Sequence, residues 1–165
     1  MTSASDVLRA MFAHHTWATL SLLDAVQRLG EQTLDARIEG TYGSIAETLT
    51  HLMDADDRYL QRMRDPRPPD YVDHGRQSPV ELRERVLGND ERWTELLDEL
   101  DQGALDVSIE DRDDLPDPRH TEGLLFLQAL QHGNDHRTQV CSTLGAIGLD
   151  VPDLDGWSYW PTRST

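Results

Sequence analysis

Residues 120–148 read HTEGLLFLQALQHGNDHRTQVCSTLGAIG. Apolar residues recur through this stretch at three- and four-residue spacing, the signature of a helix, and Gly148 stands where a helix is commonly closed. His132 and His136 occupy positions i and i+4. At about 100° per residue they lie one turn apart on the same face. Leu125, Ala129, Val140 and Ile147 fall on roughly the same line, so the two imidazoles are expected to point where the core-facing side chains point. Two core-side histidines one turn apart are half of a metal site. The rest of the chain has to supply the other half.

Three further helices are expected. In the first, from about Ser5 to Leu29, Leu8, Met11, Phe12, His15, Ala18, Leu22, Ala25, Val26 and Leu29 keep helical spacing, with Gly30 as the residue that stops it. After a connection over Glu31–Gly43, Ser44 and Glu47 form a capping box that opens the second helix, which runs to about Met63. Its stripe holds Ile45, Leu49, Leu52, Asp56, Tyr59 and Met63, with His51 on the flank. The segment Asp65–Gln77 holds three prolines and Gly75 and reads as a loop. Ser78, with Pro79 at the first helical position, opens the third helix, which ends near Leu100. Residues 101–118 are acidic and turn-rich, with Leu105–Ile109 as a short extended piece. The fourth helix spans about Thr121 to Ile147. The tail after Gly148 carries three aromatics without a helical pattern and is expected to pack back on the helices. Together these features predict an all-α fold, a four-helix bundle forming one domain over residues 1–165. The two longer connections leave room for neighbours that do not follow chain order.

With 165 residues and a net charge of −16, the chain is large enough for a core and poorly suited to nucleic acid or an anionic membrane surface. All 15 basic residues are Arg, so no lysine is available as a Schiff base or general base. The single cysteine, Cys141, excludes an intramolecular disulfide and reads as a small buried hydrophobe. No signal-peptide core and no apolar run near membrane-spanning length is present, and a cytoplasmic location is the expectation.

A bundle builds metal sites from side chains on facing helices, and imidazole suits Zn, Ni, Fe and Cu. A third ligand beside His132 and His136 has to come from another helix. The candidates are His51, His14 and His15. For His15, on the stripe of the first helix, a hydrogen-bonded core role outweighs ligation. His74 and His120 read as surface or capping residues. Position 133 is Gly, so the H-E-x-x-H pattern of zinc peptidases and its general base are absent. Three neutral imidazoles would leave a cation its full charge and open coordination positions. Asp135, Gln139 and Glu47 lie near enough to orient ligand rings, although a solvated polar face is the expected role for each.

Three segments together resemble one family. HHTWATLSLLDAVQRL in the first helix, YGSIAETLTHLMDADDRYL in the second and LQALQHGNDHRTQV in the fourth are similar to the DinB-like metalloproteins. The most specific element is a His seven residues after the capping Ser, followed by an H-x-x-x-H pair, here His51, His132 and His136. The resemblance implies a three-histidine divalent metal site, with Zn or Ni favoured and Fe admissible, in a bundle whose helices are not in simple up-and-down order. Trp17 matches a packing Trp of that family, whereas His14 and His15 depart from its pattern. The resemblance also implies a homodimer, for which Phe126, Leu130, Cys141 and Leu144 offer a face that reads equally as core. Among such proteins are transferases and isomerases that use a low-molecular-weight thiol of the bacillithiol or mycothiol type, with a small-molecule substrate. A non-catalytic metal-binding stress-response protein, a metal-dependent hydrolase and a plain helical interaction module stand beside that expectation.

Overall fold

The computed structural model describes residues 3–64, 74–101 and 122–164. All regular structure in them is helical: α1 (Ala4–Gln27), α2 (Glu31–Leu34), α3 (Ile45–Arg64), α4 (Pro79–Asp101), α5 (Glu122–Ala146), α6 (Gly156–Tyr159) and a 3-10 turn over Trp160–Ser164. The four long helices are those expected from the sequence. Leu105–Ile109, His120 and most of the proline-rich loop lie outside the described residues.

The helix ends follow from local hydrogen bonding. α1, α3 and α4 each open with a serine whose hydroxyl accepts from the backbone three residues on. The acidic residue there accepts in return: Asp6 from Ser3 N–H at 2.8 Å, Glu47 from Ser44 N–H at 2.7 Å and Glu81 from Ser78 N–H at 2.8 Å. α5 closes at Gly148, whose φ is 77°. There Leu149 N–H donates to Leu144 O at 3.0 Å and Gly148 N–H to Gly145 O at 3.1 Å, a Schellman closure. Gly30 does not play the expected part. α1 ends on Arg28 in a right-handed conformation, and Gly30, at φ −67°, is instead the extended N-cap of α2. The short α2 lies within the expected Glu31–Gly43 connection.

α1 lies against α4 and α5, and α3 likewise lies against α4 and α5. Two of the three pairs of long helices consecutive in the chain, α1 with α3 and α4 with α5, therefore sit on diagonals of the bundle, whereas α3 and α4 are neighbours. The connection from α1 to α3 therefore has to cross a diagonal. This arrangement makes α3 and α5 neighbours although α4 separates them in the chain.

The core has two apolar layers. One gathers Leu22, Leu23, Val26, Ile45, Leu49, Leu52, Met53, Leu82, Val86, Val140 and Leu144. The other gathers Phe12, Leu60, Met63, Trp93, Leu96, Leu97, Leu125, Phe126, Ala129 and Leu130, with the Phe12 and Trp93 rings 4.6 Å apart. Phe126, Leu130 and Leu144 are thus core residues of one chain rather than a free face. Ile147 is exposed, one residue past the end of α5.

Between the layers each long helix contributes polar residues at mid-height: His15 from α1, Asp56 from α3, Asn89 from α4, and His136 and Arg137 from α5, all buried. Buried polar groups cost free energy unless paired, so this belt demands an account. The tail docks on α1 as expected. Tyr159 is buried with its ring 5.3 Å from that of Trp17, and His14 Nε2–H donates to Leu154 O at 2.7 Å. Among the described residues no helix is long and apolar enough to cross a membrane.

Candidate metal centre

The seam between α3 and α5 brings His51, His132 and His136 together. His132 Nε2 lies 3.2 Å from His51 Nε2 and 3.1 Å from His136 Nε2. The three nitrogens form a cluster of the kind that could hold a metal ion, and no carboxylate or thiol among the described residues joins it. The capping box fixes where α3 begins and so sets the height of His51. The i, i+4 spacing on α5 sets the other two.

The tautomer of His136 follows from its neighbours. Tyr42 N–H donates to Gln139 Oε1 at 2.9 Å, which fixes the orientation of that amide. The same Oε1 lies 3.2 Å from His136 Nδ1 and can only accept, so Nδ1 carries the proton. His136 Nε2 is then a bare lone pair aimed at the cluster. Three Nε2 atoms cannot satisfy one another with hydrogen bonds, because each neutral ring has one proton to place. A single cation satisfies all three. At metal–nitrogen distances of about 2.0–2.1 Å, ligand nitrogens sit roughly 2.9–3.4 Å apart for angles from square to tetrahedral, which brackets the observed spacings.

Electrostatics point the same way. Burial, reinforced by the His136 and His51 charges, pushes His132 down to about 3. His51 is lowered by burial and by the His136 charge, and His136 by burial, opposed by its bond to Gln139 and by Asp135. Low imidazole pKa values keep the rings neutral near pH 7, the state in which they can ligate. His132 Nδ1 is buried and has no hydrogen-bond partner among the described residues.

The mouth of the cluster is formed by Tyr42. Its ring stacks on His51 at 3.9 Å with an interplanar angle of 14°, and meets the edge of His136 at 5.6 Å. Tyr42 is otherwise exposed. Tyr59 closes the inner side, 5.9 Å from His132.

The other candidates are placed as follows. His14 binds the tail. His15, 3% exposed, lies at hydrogen-bond distance from Asp56 and Arg137, the core role expected of it, and is not part of the cluster. His74 Nδ1 pairs with Asp54 on the surface at 2.9 Å. Glu47 serves the capping box, and Asp135 is exposed. Gln139 is the residue that sequence reasoning misjudged. Its position three residues after His136 on the same face was the available signal. Cys141 is half-buried, and burial pushes its thiol up, away from nucleophilic use.

A family model described as the DinB superfamily matches residues 13–140, a span that holds all three histidines. No curated protein and no solved structure matches the chain.

Proposed function

Because this chain belongs to the DinB superfamily, we propose that His51, His132 and His136 hold one divalent cation, Zn or Ni before Fe, and that the protein uses it to activate a low-molecular-weight thiol for transfer to a small electrophile. The observation that carries this reading is the convergence of His51 Nε2 and His136 Nε2 on His132 Nε2, at 3.2 and 3.1 Å, with no acidic partner among the described residues. When bound, the cation supplies a 2+ charge that acidifies a ligated thiol or water.

The chain's own residues define what such a site can do. Three uncharged ligands leave the positive charge uncompensated, which favours an anionic ligand such as a thiolate. Gln139 holds His136 in its ligating tautomer. Tyr42 covers one face of His51 and narrows the entry, so it also bounds the size of what enters. No carboxylate of the described residues joins the cluster to serve as a general base, and Cys141 lies outside it. A nucleophile that brings its own acidity, as a small thiol does, suits this site better than water needing a base. The resemblance also favours a homodimer, and a solution mass of one chain by light scattering would overturn that point.

Metal analysis of the purified protein tests the site. His51→Ala, His132→Ala and His136→Ala are each expected to lose the ion, and unchanged content in any of them removes that residue from the ligand set. A conjugation assay with a small electrophile and a panel of low-molecular-weight thiols tests the reaction. Metal-dependent turnover with one thiol supports it. Its absence with every thiol reduces the protein to a metal binder, and metal-dependent ester or amide hydrolysis in its place makes it a hydrolase.

A further inference from the structure

His15 is a buried, titratable residue for which the proposed chemistry has no use. Its two ring nitrogens reach two different helices. Nε2 lies 2.9 Å from Asp56 Oδ2 on α3, and Nδ1 lies 3.2 Å from an Arg137 guanidinium nitrogen on α5. A guanidinium only donates, so Nδ1 is the acceptor and Nε2–H donates to the carboxylate. The arrangement is directional: Arg137 to His15 to Asp56. Thr19 braces it, accepting from Arg137 at 3.1 Å and donating to the His15 carbonyl at 2.8 Å. All four side chains are buried. No carboxylate of the described residues lies within 4.0 Å of the Arg137 guanidinium, so the nearest compensation for its charge comes through the imidazole from Asp56.

The two ends of this bridge are close to the candidate ligands along their own helices. Asp56 is five residues after His51, and Arg137 directly follows His136. Gly133, between the two α5 histidines, is the residue that makes room: a Cβ there would stand 2.3 Å from His15 Cε1. One residue on α1 thus ties together the two helices whose spacing decides whether three Nε2 atoms converge.

We propose that the Asp56–His15–Arg137 bridge is a positioning device that sets the distance between His51 and the His132–His136 pair, so that metal affinity depends on a histidine that is not a ligand. This rests on the three-histidine metal site proposed above. The alternative is a bridge that only stabilises the bundle.

The test uses the full chain with Zn2+ affinity measured by competition against a chromogenic chelator, the visible spectrum of the Co2+-loaded protein as a report on ligand geometry, and far-UV circular dichroism to establish folding. His15→Leu keeps an apolar body and removes both hydrogen bonds. It is expected to weaken Zn2+ binding by about 10–100-fold, the usual effect of losing an orienting partner, and to alter the Co2+ spectrum. In His15→Gln the amide oxygen can accept from Arg137 and the amide nitrogen can donate to Asp56, so affinity and spectrum are expected to return close to native. A folded His15→Leu with native affinity and spectrum overturns the proposal, as does a His15→Gln as weak as His15→Leu. If His15→Leu does not fold, Arg137→Met carries the same expectation and the same refutation. Nitrogen-15 NMR of the unmodified protein provides an independent measurement, since a His15 protonated on Nδ1 contradicts the bridge. His51→Ala is the control: if it also binds Zn2+ with native affinity, the metal site itself is wrong and the bridge is not what failed.

Discussion

Replacing glycine by alanine inside a helix ordinarily stabilises it, by about 1 kcal/mol, because the chain loses less freedom on folding. Gly133→Ala is expected to do the opposite. The new Cβ would stand 2.3 Å from His15 Cε1, 2.7 Å from His15 Nδ1 and 3.0 Å from an Arg137 nitrogen. Ordinary carbon contacts are about 3.5–4.0 Å, so the imidazole has to move by more than about 1 Å. It cannot do so freely, because it is buried and held at both nitrogens. Overpacking costs about 1–3 kcal/mol, and a lost hydrogen bond to a charged group costs about 1.5–3 kcal/mol. Set against the helix gain, the net effect is a loss of about 3 kcal/mol, or a fall in Tm of about 6–12 °C for a chain of this size. Gly88→Ala is the internal control. Gly88 is exposed within α4, and a Cβ there meets nothing within 4 Å. It is expected to raise Tm by about 2–4 °C. Melting curves of both variants, followed by circular dichroism in the presence of chelator, distinguish the two outcomes. A Gly133→Ala protein as stable as Gly88→Ala refutes the claim that His15 is held against the α5 backbone.

Gln139→Ala removes the acceptor shared by His136 Nδ1–H and Tyr42 N–H. Zn2+ affinity is expected to fall about 10-fold or more, and Tyr42 amide exchange to quicken, as read by chelator competition and hydrogen exchange. Ser44→Ala breaks the capping box of the helix that carries His51, with an expected loss of about 1 kcal/mol in denaturant unfolding. The metal-free protein is expected to lose stability on acidification. His132, whose pKa falls from an ordinary 6.5 to about 3, takes up a proton more readily unfolded than folded. Its contribution is therefore complete above about pH 6.5 and declines as pH falls toward 3, with His51 and His136 acting in the same direction. Urea midpoints that stay flat between pH 7 and pH 4 contradict this assignment.

The long helices were legible because their signals are local. Ser44 with Glu47, Pro79 after Ser78 and Gly148 each carry a capping mechanism within a few residues, and the structure uses all of them. Gly30 shows the limit of that logic, since a glycine after a helix serves equally as the N-cap of the next turn. The His132–His136 pair was legible for the same local reason. His51 was not, because its partners lie in a helix that only topology brings alongside. Its place on the flank of a stripe fits a ligand and a boundary residue equally, and resemblance to a family was needed to choose. The core role of His15 could be read from its stripe, but Asp56 and Arg137 as its partners could not. Tyr42 was missed because its role arises where the connection before α3 folds over the seam, and no periodic pattern records that; Gln139 stood on the right face of α5, but only the Tyr42 N–H that orients its amide makes it the acceptor for His136.

The diagonal placement of consecutive helices gives the three histidines unequal parts in chain folding. His132 and His136 are a local chelate that exists as soon as α5 forms. His51 is 81 residues from His132 in the chain and joins them only when α3 has docked. A cation held by all three is therefore a cross-link closing a long loop. In the chain-entropy description a permanent link of that span would restrain the unfolded chain by about 4–5 kcal/mol. A link made of imidazole lone pairs differs from a disulfide in being removable by protons or by a competing chelator. The molecule would then change between a tied and an untied bundle with the supply of metal, without any covalent chemistry.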